Sequence, residues 1–399
     1  MAILQVNLRP ARHLRRPDRL QPNNTANVLN PHILRDTTPH PIDLSTMDLS
    51  AVNARVSSST ANLSTNAAAN NVARYSYTED ILSSRENIIL DSDIQPAKTW
   101  SEPPFWQRIV WNLSPFTTIG RAINSAARRL RESGGSNAQL DAQVLLAHVL
   151  EVDRSWLFAN HDYKLDAAET KVYTELVARR AEHEPVAYLI GRKEFYGIEF
   201  MVDSRVLIPR PETELLVDAV LGWMEYQNNS DIRIADVGTG SGAIALSIAN
   251  NYPQANIYAI DVSQDALDLA SRNVKRLDKR NQVTLLQGDL LEPLPQKVDI
   301  IAANLPYISQ DVYNDLVPDV REYEPSIALQ GGIQGLDPIL HLLQQAPKKL
   351  NPGGGIFLEI AHDQGRKGLE LCQKLLPPHA SIDVRKDYSD RDRLITIQL

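Results

Sequence analysis

From residue 231 onward, short apolar segments alternate with longer segments whose apolar residues recur every three or four positions. The short segments are typical of buried strands and the longer ones of amphipathic helices. Such alternation predicts an α/β fold in which helices cover both faces of a doubly wound, mostly parallel, seven-stranded sheet. The predicted strands cover residues 232–237, 257–261, 283–287, 298–303, 355–360, 381–384 and 394–398.

Four helices are predicted between these strands, over residues 241–250, 264–277, 336–350 and 363–376. Residues 387–393, which separate the last two strands, are too few and too polar to form a further helix. Parallel neighbours need a long crossover connection, so we expect the last two strands to pair antiparallel.

A smaller region of helical periodicity covers residues 120–187, where Ser136 and Asn137 are favourable helix-capping residues. Residues 188–208 then alternate loosely between apolar and polar, which predicts a β-hairpin linker to the sheet domain over 209–399. The two helices of the smaller region should each bury one face, formed by Ala142, Leu146, Val149 and Leu150 and by Leu165, Ala168, Val172 and Leu176.

Residues 1–119 differ from the rest of the chain because all 18 glycines lie after them. Their Ser, Ala and Asn runs cannot bury enough apolar area to fold, so a disordered extension is predicted. The first 40 residues are rich in Arg and poor in acidic residues, which leaves organelle targeting as an alternative. Residues 100–113 carry apolar side chains at helical spacing and are expected to pack on the folded domain or to be only partly ordered, with binding to a membrane surface as the less favoured alternative.

Charge and cysteine content exclude several classes of protein. Residues 1–119 hold 11 basic and 10 acidic side chains of the chain's 41 and 49, so residues 120–399 carry a net charge of −9. An acidic domain is poorly suited to phosphate backbones, and no apolar run reaches the roughly 18 residues of a membrane span. Cys372 is the only cysteine, which excludes an intrachain disulfide, and no Cys/His cluster has zinc-site spacing. We therefore expect a cytoplasmic protein without a metal, a nucleic-acid partner or a membrane span.

The first predicted strand of the sheet runs into a glycine-rich turn, Asp236-Val237-Gly238-Thr239-Gly240. Glycines there let the backbone approach a ligand, and the following helix offers its N-terminal N–H groups to an anionic group. Asp261 ends the second strand, where a carboxylate can accept hydrogen bonds from ribose hydroxyls. With Ala243, these residues satisfy the pattern of a dinucleotide site as well as that of an S-adenosylmethionine site.

Two acidic residues favour S-adenosylmethionine over NAD. Asp236 precedes the loop, where it can attract the ammonium of a methionine moiety, a cation that NAD lacks. Asp289 follows the third strand, where it can bind an adenine amino group with Leu290 against the ring. The alternative is that each aspartate only caps a turn or a helix.

The fourth predicted strand of the sheet ends in Asn304-Leu305-Pro306-Tyr307, at the same sheet edge as the glycine loop. The Asn304 side-chain oxygen and the Leu305 carbonyl can accept both N–H groups of a planar NH2 nitrogen, which is a weak nucleophile. Pro306 favours an extended Leu305, and Tyr307 can stack on the planar group. The tetrapeptide therefore favours methyl transfer to an amide or nucleobase nitrogen, although Asn-X-Pro after a strand is also a common turn.

These motifs resemble those of known methyltransferases. Residues 231–399 resemble a class I S-adenosylmethionine-dependent methyltransferase, and residues 138–399 resemble the release-factor glutamine methyltransferase family, also called the HemK family. The further segments that carry the resemblance are Tyr188-Leu189-Ile190-Gly191, Glu194-Phe195-Tyr196-Gly197, Ile208-Pro209-Arg210-Pro211-Glu212-Thr213-Glu214, Glu324-Pro325, Ala328-Leu329, Gly331-Gly332, Gly335-Leu336, Leu358-Glu359-Ile360 with Gln364, and Asp387 with Arg391-Asp392-Arg393.

Residues 210–214 are also typical of a helix start, with Pro211 at the first helical position and acidic residues in the first turn. The string is expected to pack beside the cofactor, and whether Arg210 pairs with an acidic group stays open.

Leu305 departs from the family, which usually has Asn-Pro-Pro-Tyr, but it keeps the backbone carbonyl, so activity is expected to survive. Asn-Leu-Pro-Tyr also resembles the loop of ribosomal RNA adenine dimethyltransferases. Those enzymes tend to be basic and place their accessory domain after the catalytic domain, unlike this chain.

The resemblance implies that a monomer methylates the N5 amide of the glutamine in the Gly-Gly-Gln motif of class I peptide chain release factors. S-adenosylmethionine is the implied methyl donor, the helical domain docks the partner, and neither a metal nor a dedicated base is required. Rival readings are a glutamine methyltransferase acting on a ribosomal protein, a nucleic-acid adenine-N6 methyltransferase and, least favoured, a non-catalytic relative. The implied catalytic residues are Asn304 and Tyr307, and Leu305 and Pro306 join them in substrate binding. The implied cofactor residues are Asp236, Val237, Gly238, Thr239, Gly240, Asp261, Asp289, Leu290 and Asn304.

Overall fold

The computed structural model describes residues 113–227 and 231–399. The extension predicted over residues 1–119, its targeting alternative and the apolar segment 100–113 lie almost entirely outside these residues. The described chain contains a helical domain, a two-stranded hairpin and a seven-stranded sheet with helices on both faces. The predicted fold class is therefore confirmed for this part of the chain.

Five helices form the helical domain, and they include one long helix that the sequence pattern did not predict. The five helices are α1 Ile119–Glu132, α2 Ala138–Val149, α3 Arg154–Ala159, α4 Ala167–Ala181 and α5 Val186–Ile190. The unpredicted helix α1 is capped by Thr118, whose hydroxyl accepts a hydrogen bond from the Arg121 N–H (3.4 Å). Buried side chains from α1, α2 and α4, among them Leu130, Leu145 and Tyr173, share one apolar core.

The buried face of α4 is not the predicted one. Leu176 is buried as expected, but Ala168 and Val172 are exposed. The ring of Tyr173 is fully buried instead, and its hydroxyl donates to the Ala142 carbonyl (3.0 Å). A large aromatic ring with a satisfied hydroxyl buries more apolar area than Val172 would, so it sets the face of the helix that packs inward.

The predicted hairpin is confirmed as two antiparallel strands, β1 Arg192–Phe195 and β2 Ile198–Met201. Tyr196 and Gly197 between them have positive φ angles of 52° and 72°. Two such residues form the tight turn whose twist matches paired strands. Residues 188–190, predicted as the start of the linker, belong to helix α5 instead.

Seven strands form the sheet, and each contains or overlaps a predicted strand. They are β3 Arg233–Val237, β4 Asn256–Asp261, β5 Val283–Gln287, β6 Val298–Ala303, β7 Leu350–Glu359, β8 Ser381–Lys386 and β9 Asp392–Gln398. Their order across the sheet is β5-β4-β3-β6-β7-β9-β8, and β3 to β7 run parallel. The antiparallel pairing predicted for β8 and β9 is confirmed, and β9 also pairs antiparallel with β7. The strand order reverses at β3, and the carboxyl ends of strands at such a switch point form a ligand crevice.

Helices cover both faces of the sheet. They are α6 Glu214–Gln227, α7 Ala243–Asn251, α8 Gln264–Arg276, α11 Asp337–Lys349 and α12 Gly365–Leu375. Two short helices without buried residues, α9 Gln310–Tyr313 and α10 Pro318–Arg321, lie in the segment after β6. Apolar side chains of α6, α7 and α8 pack in one core, whereas those of α11 and α12 pack in a second core on the opposite face. A 3-10 turn over Pro211–Thr213 precedes α6, which confirms the predicted helix start.

Candidate active site

A cavity of about 380 Å³ opens at the carboxyl ends of β3, β4 and β6, where the strand order reverses. Most of the residues predicted for the site form its wall, whereas Asp236, Thr239 and Tyr307 lie behind that wall. The predicted residues that line the cavity are Val237, Gly238, Gly240, Asp261, Asp289, Leu290, Asn304, Leu305 and Pro306.

The glycine loop has a backbone shape that residues with a Cβ rarely adopt. Gly238, Gly240 and Gly242 have φ angles of 74°, 54° and 82°, all in the left-handed region. A Cβ built on Gly238 would lie 3.3 Å from Leu305 Cδ2, which is tighter than ordinary packing. The glycines therefore allow both the turn itself and the close approach of the loop that follows β6.

Asp236 lies beneath the glycine loop and is fully buried. Its Oδ2 accepts hydrogen bonds from the Thr239 hydroxyl (2.6 Å) and the Ala245 N–H (3.1 Å), whereas its Oδ1 has no partner among the described residues. Burial raises the pKa of Asp236 to about 6, although these two hydrogen bonds oppose the shift. Asp236 thus holds the loop, and the structure does not bring it to the cavity wall as the sequence suggested.

Asp261 lies at the end of β4, on the cavity wall. Its Oδ2 accepts from the Gly240 N–H and its Oδ1 from the Ser263 N–H, both at 2.9 Å. Burial raises the pKa of Asp261, and hydrogen bonds from backbone N–H groups act in the opposite direction. Each carboxylate oxygen can accept a second hydrogen bond, so the residue can both hold the loop and bind hydroxyl groups.

Asp289 and Leu290 follow β5 and form the far side of the cavity. Leu290 has a φ of 47°, a left-handed conformation that is uncommon for a non-glycine residue. Such conformations concentrate at ligand sites, because the surrounding structure holds them there. The pair therefore lies where the sequence predicted an adenine contact.

The Asn304 side chain is held by a residue that was not among the predicted site residues. Its Nδ2 donates to the Thr213 hydroxyl oxygen (3.0 Å), which belongs to the 3-10 turn before α6. Thr213 is buried. This contact places residues 210–214 beside the predicted catalytic loop, Asn304 to Tyr307, and leaves Asn304 Oδ1 as the free acceptor of that side chain.

Glu359, the last residue of β7, is buried behind the catalytic loop and was also missed as a site residue. Its Oε1 accepts from the Tyr307 hydroxyl (3.4 Å), and the Thr213 side chain lies close enough to the same carboxylate to lower its pKa. Burial raises the pKa of Glu359 to about 7, and hydrogen bonds from Thr213 and Tyr307 together with the charge of Arg393 lower it. A glutamate that ends a buried apolar strand is the signal that could have identified it.

Arg210 pairs with Glu324, which answers the question that the sequence left open. The same carboxylate accepts a hydrogen bond from the Ile208 N–H (3.1 Å) and is almost fully buried. Burial raises the pKa of Glu324, whereas the charge of Arg210 lowers it. The pair fastens residues 208–210 to the segment that follows the catalytic loop.

The helical domain contacts this same segment. Arg180 on α4 pairs with Asp319 on α10 (2.7 Å) and with Asp141 on α2 (2.8 Å). The Tyr323 hydroxyl donates to the Glu182 carbonyl (2.6 Å). These contacts connect the helical domain to residues 319–323, in the segment that follows the predicted catalytic loop.

Among residues 113–227 and 231–399, no group of three or more His, Cys, Asp or Glu side chains is placed to hold a metal ion. In the same two stretches of chain, no helix combines the length and apolar character needed to cross a membrane.

Comparison with known proteins agrees with the two-domain arrangement. The model of the PrmC N-terminal domain matches residues 121–191, and the model of the Methyltransferase small domain matches residues 213–319. A solved structure of a protein-(glutamine-N5) methyltransferase (release factor-specific) from Alicyclobacillus acidocaldarius is 28% identical. It covers 50% of this chain and 98% of its own, with a TM-score of 0.31.

Two curated relatives match most of their own length. The release factor glutamine methyltransferase of Moorella thermoacetica is 41% identical over 277 residues, which are 69% of this chain and 96% of that protein. The release factor glutamine methyltransferase of Rhodopirellula baltica is 37% identical over 291 residues, which are 72% of this chain and 98% of that protein. With this identity across nearly the whole of both relatives, the chain belongs to the release factor glutamine methyltransferase family.

Proposed function

We propose that this protein transfers a methyl group from S-adenosylmethionine to the N5 amide of the glutamine in the Gly-Gly-Gln motif of class I release factors. The observation that carries the proposal is the orientation of Asn304 beside the glycine loop. Because Asn304 Nδ2 faces Thr213 and donates to its hydroxyl oxygen, Asn304 Oδ1 is the atom left to accept a hydrogen bond from an NH2 group. Membership of the release factor glutamine methyltransferase family supports a glutamine amide as that group.

The residues around the cavity fit S-adenosylmethionine. The left-handed glycines bring the backbone of residues 237–240 close to the ligand space. Asp261 retains acceptor sites for ribose hydroxyls, and Asp289 with Leu290 can bind the adenine. The unpartnered Oδ1 of Asp236 adds negative charge behind the loop, which favours a methionine ammonium there. When bound, S-adenosylmethionine supplies an electrophilic methyl group on a sulfonium sulfur.

The contribution of the protein to the reaction is mainly positioning. An amide nitrogen shares its lone pair with the carbonyl and is a weak nucleophile, so holding it in line with the methyl group supplies much of the rate. Asn304 Oδ1 accepts one N–H of the glutamine amide and the Leu305 carbonyl accepts the other. Pro306 lines the cavity and restricts the loop, and Tyr307 anchors the end of the loop from behind the cavity wall. No general base is needed, because the nitrogen can release its proton after the attack.

The surface beside the cavity suits a protein loop better than a nucleic acid. Exposed apolar side chains in the segment after the catalytic loop include Val312, Val317, Ile327 and Ile333, and Ile327 also lines the cavity. Apolar exposure of this kind is typical of protein contacts, and residues 120–399 carry a net charge of −9, which disfavours phosphate backbones. The helical domain, fastened to this segment through Arg180 and Asp319, would supply a second docking surface.

The proposal is tested with labelled S-adenosylmethionine and the full chain. The acceptors are a class I release factor, the same factor with its motif glutamine replaced, ribosomal proteins and total RNA. We expect label only in the unmodified release factor. Label in RNA, label confined to ribosomal proteins, or equal label in both forms of the factor would contradict the proposal. The cytoplasmic location and monomeric state stay predictions.

A further inference from the structure

Glu359 contacts one end of the catalytic tetrapeptide and lies beside the residue that holds the other end, although it belongs to a different strand. It reaches Tyr307 directly and Asn304 through Thr213. Its second oxygen, Oε2, has no hydrogen-bond partner among the described residues. A buried carboxylate that is only partly satisfied is costly to keep, and such groups are found where function requires them.

The donors and acceptors in this chain of contacts have fixed directions. An ionised carboxylate can only accept, so the Thr213 hydroxyl donates its single hydrogen to Glu359. The Thr213 oxygen is then left only to accept, and the Asn304 atom that faces it must be the NH2 nitrogen. The carbonyl oxygen of Asn304 is thereby directed away from Thr213.

We infer that Glu359 is a positioning residue, which acts through Thr213 to set the amide orientation of Asn304 and through Tyr307 to hold the other end of the loop. This inference rests on the proposed methylation of an NH2 group, because that reaction needs an acceptor oxygen at Asn304. We call the series of contacts from Glu359 through Thr213 to Asn304 the relay. It explains why residues 208–214 and the end of β7 meet at the cavity, because Thr213 provides the hydroxyl and Glu359 provides the charge that orients it.

Protonation of Glu359 would reverse these directions. A neutral carboxyl can donate to Thr213, which can then donate to the oxygen of Asn304 and turn its NH2 group toward the substrate. The NH2 group of Asn304 and the NH2 group of the substrate are both donors, so Asn304 in this orientation cannot accept the substrate N–H. The groups that bear on this protonation are Arg393, which favours the ionised form, and Glu212, which disfavours it, together with the donors Thr213 and Tyr307.

Three substitutions in the full chain test the relay. Thr213→Val keeps the shape and removes the hydroxyl, Thr213→Ser restores the hydroxyl, and Glu359→Gln removes the charge. Thr396→Val is the matched control, because Thr396 is buried on β9 outside the site. We expect Thr213→Val and Glu359→Gln to lower kcat about 10- to 100-fold, the range expected for a misplaced catalytic group. Thr213→Ser and the control should stay within about threefold, and S-adenosylhomocysteine affinity should stay within about twofold in all four.

The pH profile distinguishes positioning from a merely structural role. The kcat of the wild type should rise with pH through about 7, where Glu359 ionises, and Glu359→Gln should lack this rise. Unchanged kcat in Thr213→Val, or an equal loss of S-adenosylhomocysteine binding, would overturn the relay.

A second readout needs no acceptor. In protein labelled with ¹⁵N-asparagine, the Asn304 NH2 resonance is assigned from its absence in Asn304→Ala. It should shift in Thr213→Val and titrate near pH 7 in the wild type but not in Glu359→Gln. A resonance that ignores both substitutions refutes the relay whatever the substrate. If the release factor accepts no methyl group while the Asn304 NH2 resonance still titrates as expected, the proposed function is refuted and the relay is not.

Discussion

The two loops that meet at the cavity are held in opposite ways. The glycine loop is held by nearby residues: Asp236 bonds groups three and nine positions away, and Asp261 bonds the Gly240 N–H 21 positions away. The catalytic loop is held from far along the chain, since Asn304 contacts Thr213 91 positions away and Tyr307 contacts Glu359 52 positions away.

This difference separates binding from chemistry. The glycine loop takes its shape from its own φ angles and from carboxylates at two adjacent strand ends, so it needs little from the rest of the fold. The catalytic loop is oriented only when the 3-10 turn before α6 and the end of β7 are both in place. We therefore expect substitutions to divide into those that weaken cofactor binding and those that slow methyl transfer.

The largest expected effect comes from Asn304→Ala. Loss of the amide should lower kcat about 100- to 1000-fold, because it removes the Oδ1 that accepts the substrate N–H in the proposed reaction. Calorimetric affinity for S-adenosylhomocysteine should change less than about threefold. Asn281→Ala, an exposed position just before β5, is the control. If cofactor affinity falls as far as kcat does, the division between the two loops is wrong.

Glu359→Gln should alter stability as well as rate, in opposite directions. The pKa of Glu359 rises from 4.5 to about 7 on folding, so its protonated form stabilises the folded state at low pH. That stability is present below pH 4.5 and is lost as pH rises through 7. At 1.36 kcal/mol per pH unit, the loss is roughly 3 kcal/mol.

Denaturant unfolding of the full chain at pH 5 and pH 8 measures this effect. The variant should match the wild type at pH 5 and exceed its stability at pH 8, as expected where function retains a costly buried group. Glu370→Gln, an exposed position on α12, should leave the pH dependence unchanged. A Glu359→Gln curve parallel to that of the wild type would place the pH dependence elsewhere, for example at Asp236, whose pKa is also raised.

Asp261→Asn tests how the glycine loop is held. It leaves the shape of the side chain, but the new NH2 group cannot accept a hydrogen bond, so the bond from either the Gly240 or the Ser263 N–H is lost. Hydrogen bonds to charged groups contribute about 1.5–3 kcal/mol. We expect the Kd for S-adenosylhomocysteine to rise about 10- to 100-fold, with kcat at saturating cofactor reduced less than about threefold. Asp383→Asn on β8 is the control. A fall in kcat at saturating cofactor that exceeds the change in Kd would contradict the assignment of the glycine loop to cofactor binding alone.

The smallest effect is expected for Leu305→Pro, which restores the tetrapeptide that the family usually has. The backbone carbonyl is kept, while the buried leucine side chain that contacts Gly238 is shortened. The added proline makes the loop more rigid, whereas the shorter side chain loses buried apolar contact. These two effects oppose each other, so kcat should stay within about threefold of the wild type. A change above tenfold in steady-state kcat would mean that the loop's own sequence matters as much as its distant partners.

The same division explains what could be predicted from the sequence. The strands, the glycine turn and Asp261 were predicted because short-range patterns encode them. Thr213 was known only as part of a matching string, and Glu359 only as part of a strand, because their roles arise from contacts that no local pattern contains. Asp236 was placed on the right loop, but nothing local indicated that its carboxylate turns under the loop and lies behind the cavity wall.

The contacts of Arg180 and Tyr323 have a consequence for recombination between relatives. The helical domain, residues 119–190, is joined to residues 318–323 through Asp319 and the Glu182 carbonyl, more than 130 positions apart in the chain. A chimera that exchanges the helical domain alone would therefore leave Asp319 or its partner from the wrong parent. The exchangeable unit of this protein is discontinuous, and it includes α10 from within the catalytic domain.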